Sequence, residues 1–355
     1  WRIYGHSWMF RGLGDLGQWK GDGIIARVES GAEADSLAAL GLPLIDVAGA
    51  YARPGFRSVT NDDALTGHQA ATYLASIGFS RLAFLGVEGV AWSAARREGA
   101  ARALGLEAAA IPSFERSLPW WEDGTADEAG LEGFLKALPR PGAVFACNDT
   151  AGLRAVEICA RLGIDVPSEL AVLGVDDEDI VCELASPSLS SVALDCETIG
   201  YRAAALLDAV LDAKAGNGSE GLGPPPGTAL TVAPRKVEER ESTLTYASTD
   251  PLVSQAAAAI RARAHEGLDV EGLLRIVATS RRSLEKRFRA ATGHSLHEEI
   301  LAARVARARR LLGATDLTMD AVAAASGFGS LQRFHEAFRR LEGRTPGDYR
   351  RDQPR

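Results

Sequence analysis

From residue 23 to about 237, short apolar runs alternate with longer stretches of helical period. "GIIARV", "LPLIDVAG", "RLAFLGV", "GAVFAC" and "LAVLGV" are brief and flanked by Gly or charge, the pattern of strands buried on both faces. Between them, "ALTGHQAATYLASIG", "AARREGAARALG" and "TAGLRAVEICARLG" space their apolar residues as amphipathic helices do. Strand and helix in strict alternation predict parallel sheets covered by helices on both sides. Gly163 just past a helical run predicts a helix end there, and "DVPSEL" predicts the turn into the next strand. The Gly- and Pro-rich stretch at 214–227 predicts a surface loop, and "TALTVAPRKV" after it one further strand.

Beyond that strand the pattern changes. Residues 239–250 lack apolar periodicity and read as an interdomain linker, and 251–355 predict about seven helices and no strand. Asp250 before Pro251 is a good helix start, a capping carboxylate followed by a residue whose missing N–H costs nothing in the first turn. Within this region one unit is written twice at an offset of about fifty residues. Leu284 recurs as Phe334, Phe288 as Phe338, Arg289 as Arg339, Gly293 as Gly343 and Ser295 as Thr345. Each copy is a short helix, a tight turn and a second helix, whose apolar pair four residues apart faces a core. The opposite face offers Arg281, Arg282, Glu285, Lys286 and Arg289 in the first copy and Ser330, Gln332, Arg333 and His335 in the second. Arg and Gln can make bidentate contacts to guanine and adenine edges, although a charged helical face is also what an ordinary solvated bundle shows.

Charge divides the chain the same way. The net −8 hides a C-terminal part, from residue 250, with 19 Lys and Arg against 13 Asp and Glu, while the rest has 20 against 34. Only the basic part suits a polyanion. At 355 residues and 46% hydrophobic composition the chain can bury a core in each of two domains. No run approaches a membrane span. Four scattered cysteines without a C-x-x-C pair fit a reducing compartment, the cytoplasm. The chain opens on Trp1, so the lack of a leader carries no weight on location. No nucleophile elbow, phosphate loop or zinc spacing supports an enzyme, no cofactor is implied, and His294 and His297 read as surface residues.

The expected ligand chemistry lies at strand ends, where open parallel sheets bind their ligands. "FACNDT" ends on Asn148 and Asp149, "VLGVDDED" on Asp176 and Asp177, and Arg96 opens the helix after "LGVEGVAWSAA". Carboxylates and an Arg fork with Trp92 or Trp121 nearby suit a polyhydroxylated ligand, while the acids at 177–179 could equally complement a helix dipole.

The C-terminal run "AVAAASGFGSLQRFHEAFRRLEGRTPGDYR" resembles the paired helix-turn-helix domain of AraC-family transcription regulators through Ala323, Gly327, Phe328, Ser330, Phe334, Phe338, Arg339, Gly343, Pro346 and Tyr349. That resemblance implies two second helices in successive major grooves, with base contacts at Arg282, Glu285 and Lys286 and at Leu331, Gln332 and His335. Glu336 departs from the family, which often has Arg there. Residues 20–240 resemble the sugar-sensing core of LacI and GalR regulators. The implied ligand contacts are Arg96, Asn148 or Asp149, Asp176, and Trp121 or Trp120, with Trp92 as a further candidate; a first strand and helix that would line the cleft should precede "WRIYGHS".

Together the resemblances imply an α/β periplasmic-binding-protein-like two-lobed sensor domain over 1–238, a linker over 239–250, and an all-α domain with two helix-turn-helix units over 251–355. The implied partners are promoter DNA, RNA polymerase, a second copy of the chain in a homodimer, and a sugar effector, D-xylose or a related pentose. The competing reading is a sugar-binding protein whose helical tail is a partner module without a DNA role.

Overall fold

The alternation resolves into two sheets, and the repeated region into a helical bundle. A computed structural model describes residues 21–51, 55–122, 127–215, 225–244 and 250–351. In chain order the α/β part comprises β1 (Ile24–Ala26), α1 (Gly31–Ala38), β2 (Leu44–Asp46), β3 (Arg57–Asn61), α2 (Asp63–Ser76), β4 (Leu82–Val87), α3 (Ala91–Ala103), β5 (Ser113–Arg116), α4 (Leu118–Glu122), α5 (Ala129–Ala137), β6 (Gly142–Ala146), α6 (Asp149–Leu162), β7 (Leu170–Asp176), α7 (Asp179–Leu184), β8 (Ser190–Ala193), α8 (Cys196–Ala215), β9 (Ala229–Val232) and β10 (Val237–Glu238). One lobe holds the parallel sheet β1-β2-β3-β9. The other holds β10-β8-β7-β6-β4-β5, parallel except where β10 runs against β8. The apolar runs "LAFLGV" and "GAVFA" are buried at every position, as strands covered on both faces must be.

The chain passes between the lobes three times, after β3, after β8 and after β9. The passages are laced together: Asp62 N–H donates to Val232 O at 2.8 Å, Arg235 N–H to Ala193 O at 2.8 Å and Ala193 N–H to Lys236 O at 3.1 Å. Any motion of one lobe against the other therefore has to turn about a joined set of passages. The predicted strand "TALTVAPRKV" is in fact two, β9 in one sheet and β10 in the other. Pro234 lies between them, where a residue without an N–H cannot extend a ladder.

The linker expected at 239–250 also differs. Glu241–Thr243 forms a 3-10 turn docked on the second lobe. Ser242 Oγ accepts from Ser190 N–H at 2.8 Å and donates to Val172 O at 2.6 Å, and both Ser242 and Thr243 are buried. Composition hid this because the ties are hydroxyls to sheet backbone, not apolar contacts. Residues 245–249 lie outside the described residues.

The helical part comprises α9 (Pro251–Arg263), α10 (Val270–Val277), α11 (Arg281–Thr292), α12 (Leu296–Ala314), α13 (Met319–Ala325), α14 (Leu331–Glu342) and α15 (Pro346–Arg351). The repeat is structural as well as sequential. Ser280 and Ser330 cap α11 and α14 by accepting the N–H groups of Ser283 and Arg333, and Gly293 and Gly343 end those helices at φ of 77° and 71°, which only Gly adopts without strain. Leu284 and Phe288 are buried in one core, Phe334 and Phe338 in a second, and α12 joins the two. This bundle meets the second lobe through ion pairs: Arg309 with Glu238 at 3.1 Å, Arg310 with Glu241 at 3.0 Å and Arg261 with Asp165 at 3.4 Å.

Helices α2 and α3 cross backbone to backbone. A Cβ added to Gly67 would stand 1.8 Å from the carbonyl oxygen of Arg96, and one added to Gly99 would stand 1.9 Å from that of Ala64. Gly67→Ala is expected to force the helices apart and to destabilise the α/β domain by about 1–3 kcal/mol, the usual cost of overpacking. Urea unfolding followed by tryptophan fluorescence checks this, and Gly31→Ala, where an added Cβ meets nothing, serves as the neutral comparison.

Candidate functional site

Three strand-to-helix junctions, after β3, β6 and β7, converge on Arg96. It rises from α3, buried, with its Nε donating to Asp63 Oδ1 at 2.8 Å. Its Nη1 donates to the carbonyl of Cys147 at the end of β6 and lies 3.6 Å from Asp176 Oδ1 at the end of β7. Burial works against the charged guanidinium, but Asp63 and then Asp176 outweigh it and hold its pKa above the ordinary value. The Trp92 ring lies 4.9 Å from the same guanidinium carbon, within cation–π range. Asp176 leaves 34% of its side chain open, and burial, opposed by Arg96, pushes its carboxyl up to about 6. Its backbone is strained: Asp176 and Asp177 take φ of 111° and 57°, conformations that non-Gly residues hold only where surrounding structure enforces them. An Arg fork, an open carboxylate and a half-buried indole can bind vicinal hydroxyls by donating, accepting and stacking.

The other expected ligand residues are engaged in hydrogen bonds and packing of their own. Asp149 is buried, accepting from Ser191 Oγ at 2.6 Å and from Glu178 N–H at 2.8 Å. Burial pushes its carboxyl up to about 7, and it ties the turn after β7 to α6. Asn148 caps α6 through its side-chain oxygen, which accepts from Ala151 N–H at 2.9 Å. Trp121 departs from its expected role. It is 1% exposed, packed at right angles to Trp120, with its indole N–H donating to Gly86 O at 2.9 Å. Trp120 is the partly open member of that pair, and the Arg154 guanidinium covers it at 4.8 Å. Asp63 is the residue the sequence reasoning missed. The signal was present in "VTNDDAL", two carboxylates at a strand-to-helix junction. Among the described residues no group of His, Cys, Asp and Glu is arranged for a metal ion, and no helix is long and apolar enough to cross a membrane.

In the helical part, Arg282, Lys286 and Arg333 stand exposed on the outer faces of α11 and α14 and make no ion pair among the described residues. Arg281 is held by Glu285 at 2.9 Å and lies 3.6 Å from Glu271. Arg289 lies 4.0 Å from Glu298. In the second copy Gln332 Nε2 donates to Glu336 Oε1 at 2.9 Å, His335 packs edge-on against Phe334, Leu331 leans on the core, and Ser330 serves as the cap. The equivalent positions of the two copies thus carry different chemistry on one framework.

A two-lobed α/β sensor joined to paired helix-turn-helix units defines a sugar-responsive transcription regulator. Residues 71–243 match the periplasmic binding protein-like domain, and residues 273–352 match a helix-turn-helix domain of the AraC type. The xylose operon regulatory protein of Escherichia coli K12 is 32% identical over 94% of this chain and 84% of its own length. That of Haemophilus influenzae is 30% identical over 93% of this chain and 84% of its own length. The solved structure of a xylose-binding transcription activator superposes with a TM-score of 0.70 at 30% identity, over 95% of this chain and 88% of that one. The chain belongs to the family of xylose operon regulatory proteins.

Because burial raises Asp149 and Asp176 above the ordinary value of 3.8, the folded chain keeps protons that the unfolded chain releases. Stability is therefore expected to fall as pH rises from about 4 to about 7 and to level off above that. Asp149→Asn removes the larger shift and is expected to flatten the upper half of that fall. Urea midpoints taken at intervals across the window check it, and an unchanged profile would place the titration on other groups.

Proposed function

We propose that the chain is a cytoplasmic, xylose-responsive activator that binds promoter DNA as a homodimer and works through contact with RNA polymerase. The observation that carries the sugar reading is the Asp63–Arg96–Asp176 cluster, open to the cleft on the side of Asp176. A pentose hydroxyl pair fits an acceptor carboxylate beside a fixed guanidinium, and the Trp92 ring offers its apolar face to the sugar carbons. Asn148, through its amide nitrogen, is a further proposed contact; Asp149 acts by fixing the strained turn that carries Asp176. Closure of the lobes about the three passages then changes how two protomers present four helix-turn-helix units to DNA, a population shift driven by tighter binding to the closed form.

On the DNA side, Arg282, Lys286 and Arg333 are free of intramolecular ion pairs among the described residues, so they meet phosphates or base edges without first breaking a salt bridge. Glu285, Gln332 and His335 are proposed base contacts, and Arg281 and Arg289 proposed phosphate contacts. These exposed cations disfavour a purely structural tail. The family likeness extends through the same helices.

Asp176→Asn is expected to weaken xylose binding at least tenfold, because an acceptor-only group becomes half donor, while leaving salt-dependent binding to promoter DNA intact. Calorimetric titration with xylose and a mobility-shift assay read the two effects separately; equal loss of both would show that Asp176 acts on folding. Arg282→Ala is expected to lower DNA affinity by about tenfold or more and to reduce the salt slope. Glu336→Gln is expected to do the opposite, raising DNA affinity several-fold by removing a charge that repels phosphate.

A further inference from the structure

Between the second lobe and the helical bundle lies a cavity of about 370 Å³, lined among others by Asp165 and Glu241 from the sensor side and by Arg261, His265, Arg307 and Arg310 from the bundle side. The size lies within the range of small-molecule sites. Three guanidiniums face two carboxylates there, so positive charge is in excess before His265 is counted. Two of the arginines are partly spent: Arg310 pairs with Glu241 at 3.0 Å, and Arg261 Nη2 reaches Ser168 Oγ at 3.2 Å and Asp165 at 3.4 Å. Arg261 Nη1 is buried and has no hydrogen-bond partner among the described residues. Among the described residues Arg307 uses only its Nε, donating to Ala325 O at 2.8 Å, which leaves its terminal nitrogens for another acceptor. A buried guanidinium nitrogen without an acceptor is costly, so turning Arg261 toward an acceptor in the cavity is favoured over leaving it as it stands.

We propose that this junction cavity binds a small phosphate-bearing dianion, held by the forks of Arg261 and Arg307 with His265 at its margin. Phosphate offers several acceptor oxygens, which two planar donor forks can engage together, and its first charge is balanced by the one guanidinium in excess of the two carboxylates. Among the described residues no indole of the kind Trp92 gives the sugar cleft lines the cavity; Val166, Pro187 and Leu244 form its apolar wall, and the arginines carry the recognition. An anion seated there touches both domains at once and competes with Asp165 and Glu241 for the arginines that join them. Its occupancy therefore biases how the sensor holds the bundle, independently of the sugar.

The test uses the full chain without DNA or sugar, in thermal unfolding with inorganic phosphate, glycerol 3-phosphate or sodium chloride at matched ionic strength. Phosphate compounds at ten times their Kd are expected to raise Tm by about 2–5 °C, with no matching shift in chloride. A larger shift with the ester assigns the site to phosphorylated metabolites; equal shifts assign it to free phosphate. The rise is expected to vanish in Arg307→Gln and in Ala303→Glu, which places a carboxylate in the cavity and removes no arginine. It is expected to persist in the double variant Arg282→Gln, Lys286→Gln on the outer face. The proposal is overturned if chloride gives the same shift, or if the phosphate effect survives Ala303→Glu and disappears in the outer-face variant.

Discussion

A guanidinium buried where two helices cross is the interaction around which the sensor is built. Arg96 cannot be desolvated without partners, and they come from three separate strand-to-helix junctions: Asp63, the Cys147 carbonyl and Asp176. The close crossing of α2 and α3 at Gly67 and Gly99 brings Asp63 within reach of Arg96. A bulkier residue at either glycine would move the charge from its partners. Removing one partner of such a cluster leaves the rest buried and unbalanced, so the cluster fixes the relative positions of β3, β4, β6 and β7 more firmly than apolar contact alone would.

The same strand end that presents Asp176 to the cleft also reaches the DNA-binding part. Asp177, the next residue, pairs with Arg240 at 2.8 Å. Arg240 belongs to the docked segment whose neighbour Glu241 pairs with Arg310 on α12, and whose other flank, Glu238, pairs with Arg309. Since α12 joins the two helix-turn-helix cores, a short path of adjacent residues and ion pairs connects Asp176 to the middle of the bundle. The hydroxyl ties of Ser242 to the sheet keep that segment from acting as a slack tether, and a segment fixed at both ends transmits displacement.

Much of this was legible in the chain, for identifiable reasons. Alternation of apolar strand and amphipathic helix gave the α/β class, and the fifty-residue repeat gave the paired units, because both are period signals that burial enforces. Arg96 and Asp176 could be singled out because strand ends are where parallel sheets place polar chemistry, and the structure brings the two within 3.6 Å. Asp149 and Trp121 looked like their equals in sequence. Only packing distinguishes a carboxylate turned in to hold Ser191 and Glu178, or an indole spent on the Gly86 carbonyl, from one left open to ligand. The docking of 239–244 was illegible for a related reason: it depends on serine and threonine hydroxyls meeting backbone groups, and those residues are as common in free linkers.

The two helix-turn-helix copies show how one framework carries unequal duties. Caps at Ser280 and Ser330, glycine stops at Gly293 and Gly343, and the buried pairs are the same in kind, so the backbones present their outer faces alike. The faces differ. The first offers Arg282 and Lys286, unpaired among the described residues, long cations that attract phosphate over a distance set by salt. The second has Gln332 held by Glu336 and a His335 braced against Phe334, short-range groups with restrained rotamers. Rotamer restraint lowers the entropy lost on contact and sharpens directional recognition, whereas a mobile cation gains affinity without much discrimination. The first copy thus exposes those two cations beside a paired Arg281, the second exposes Arg333 beside a restrained amide and imidazole, and the acidic Glu336 fixes that amide.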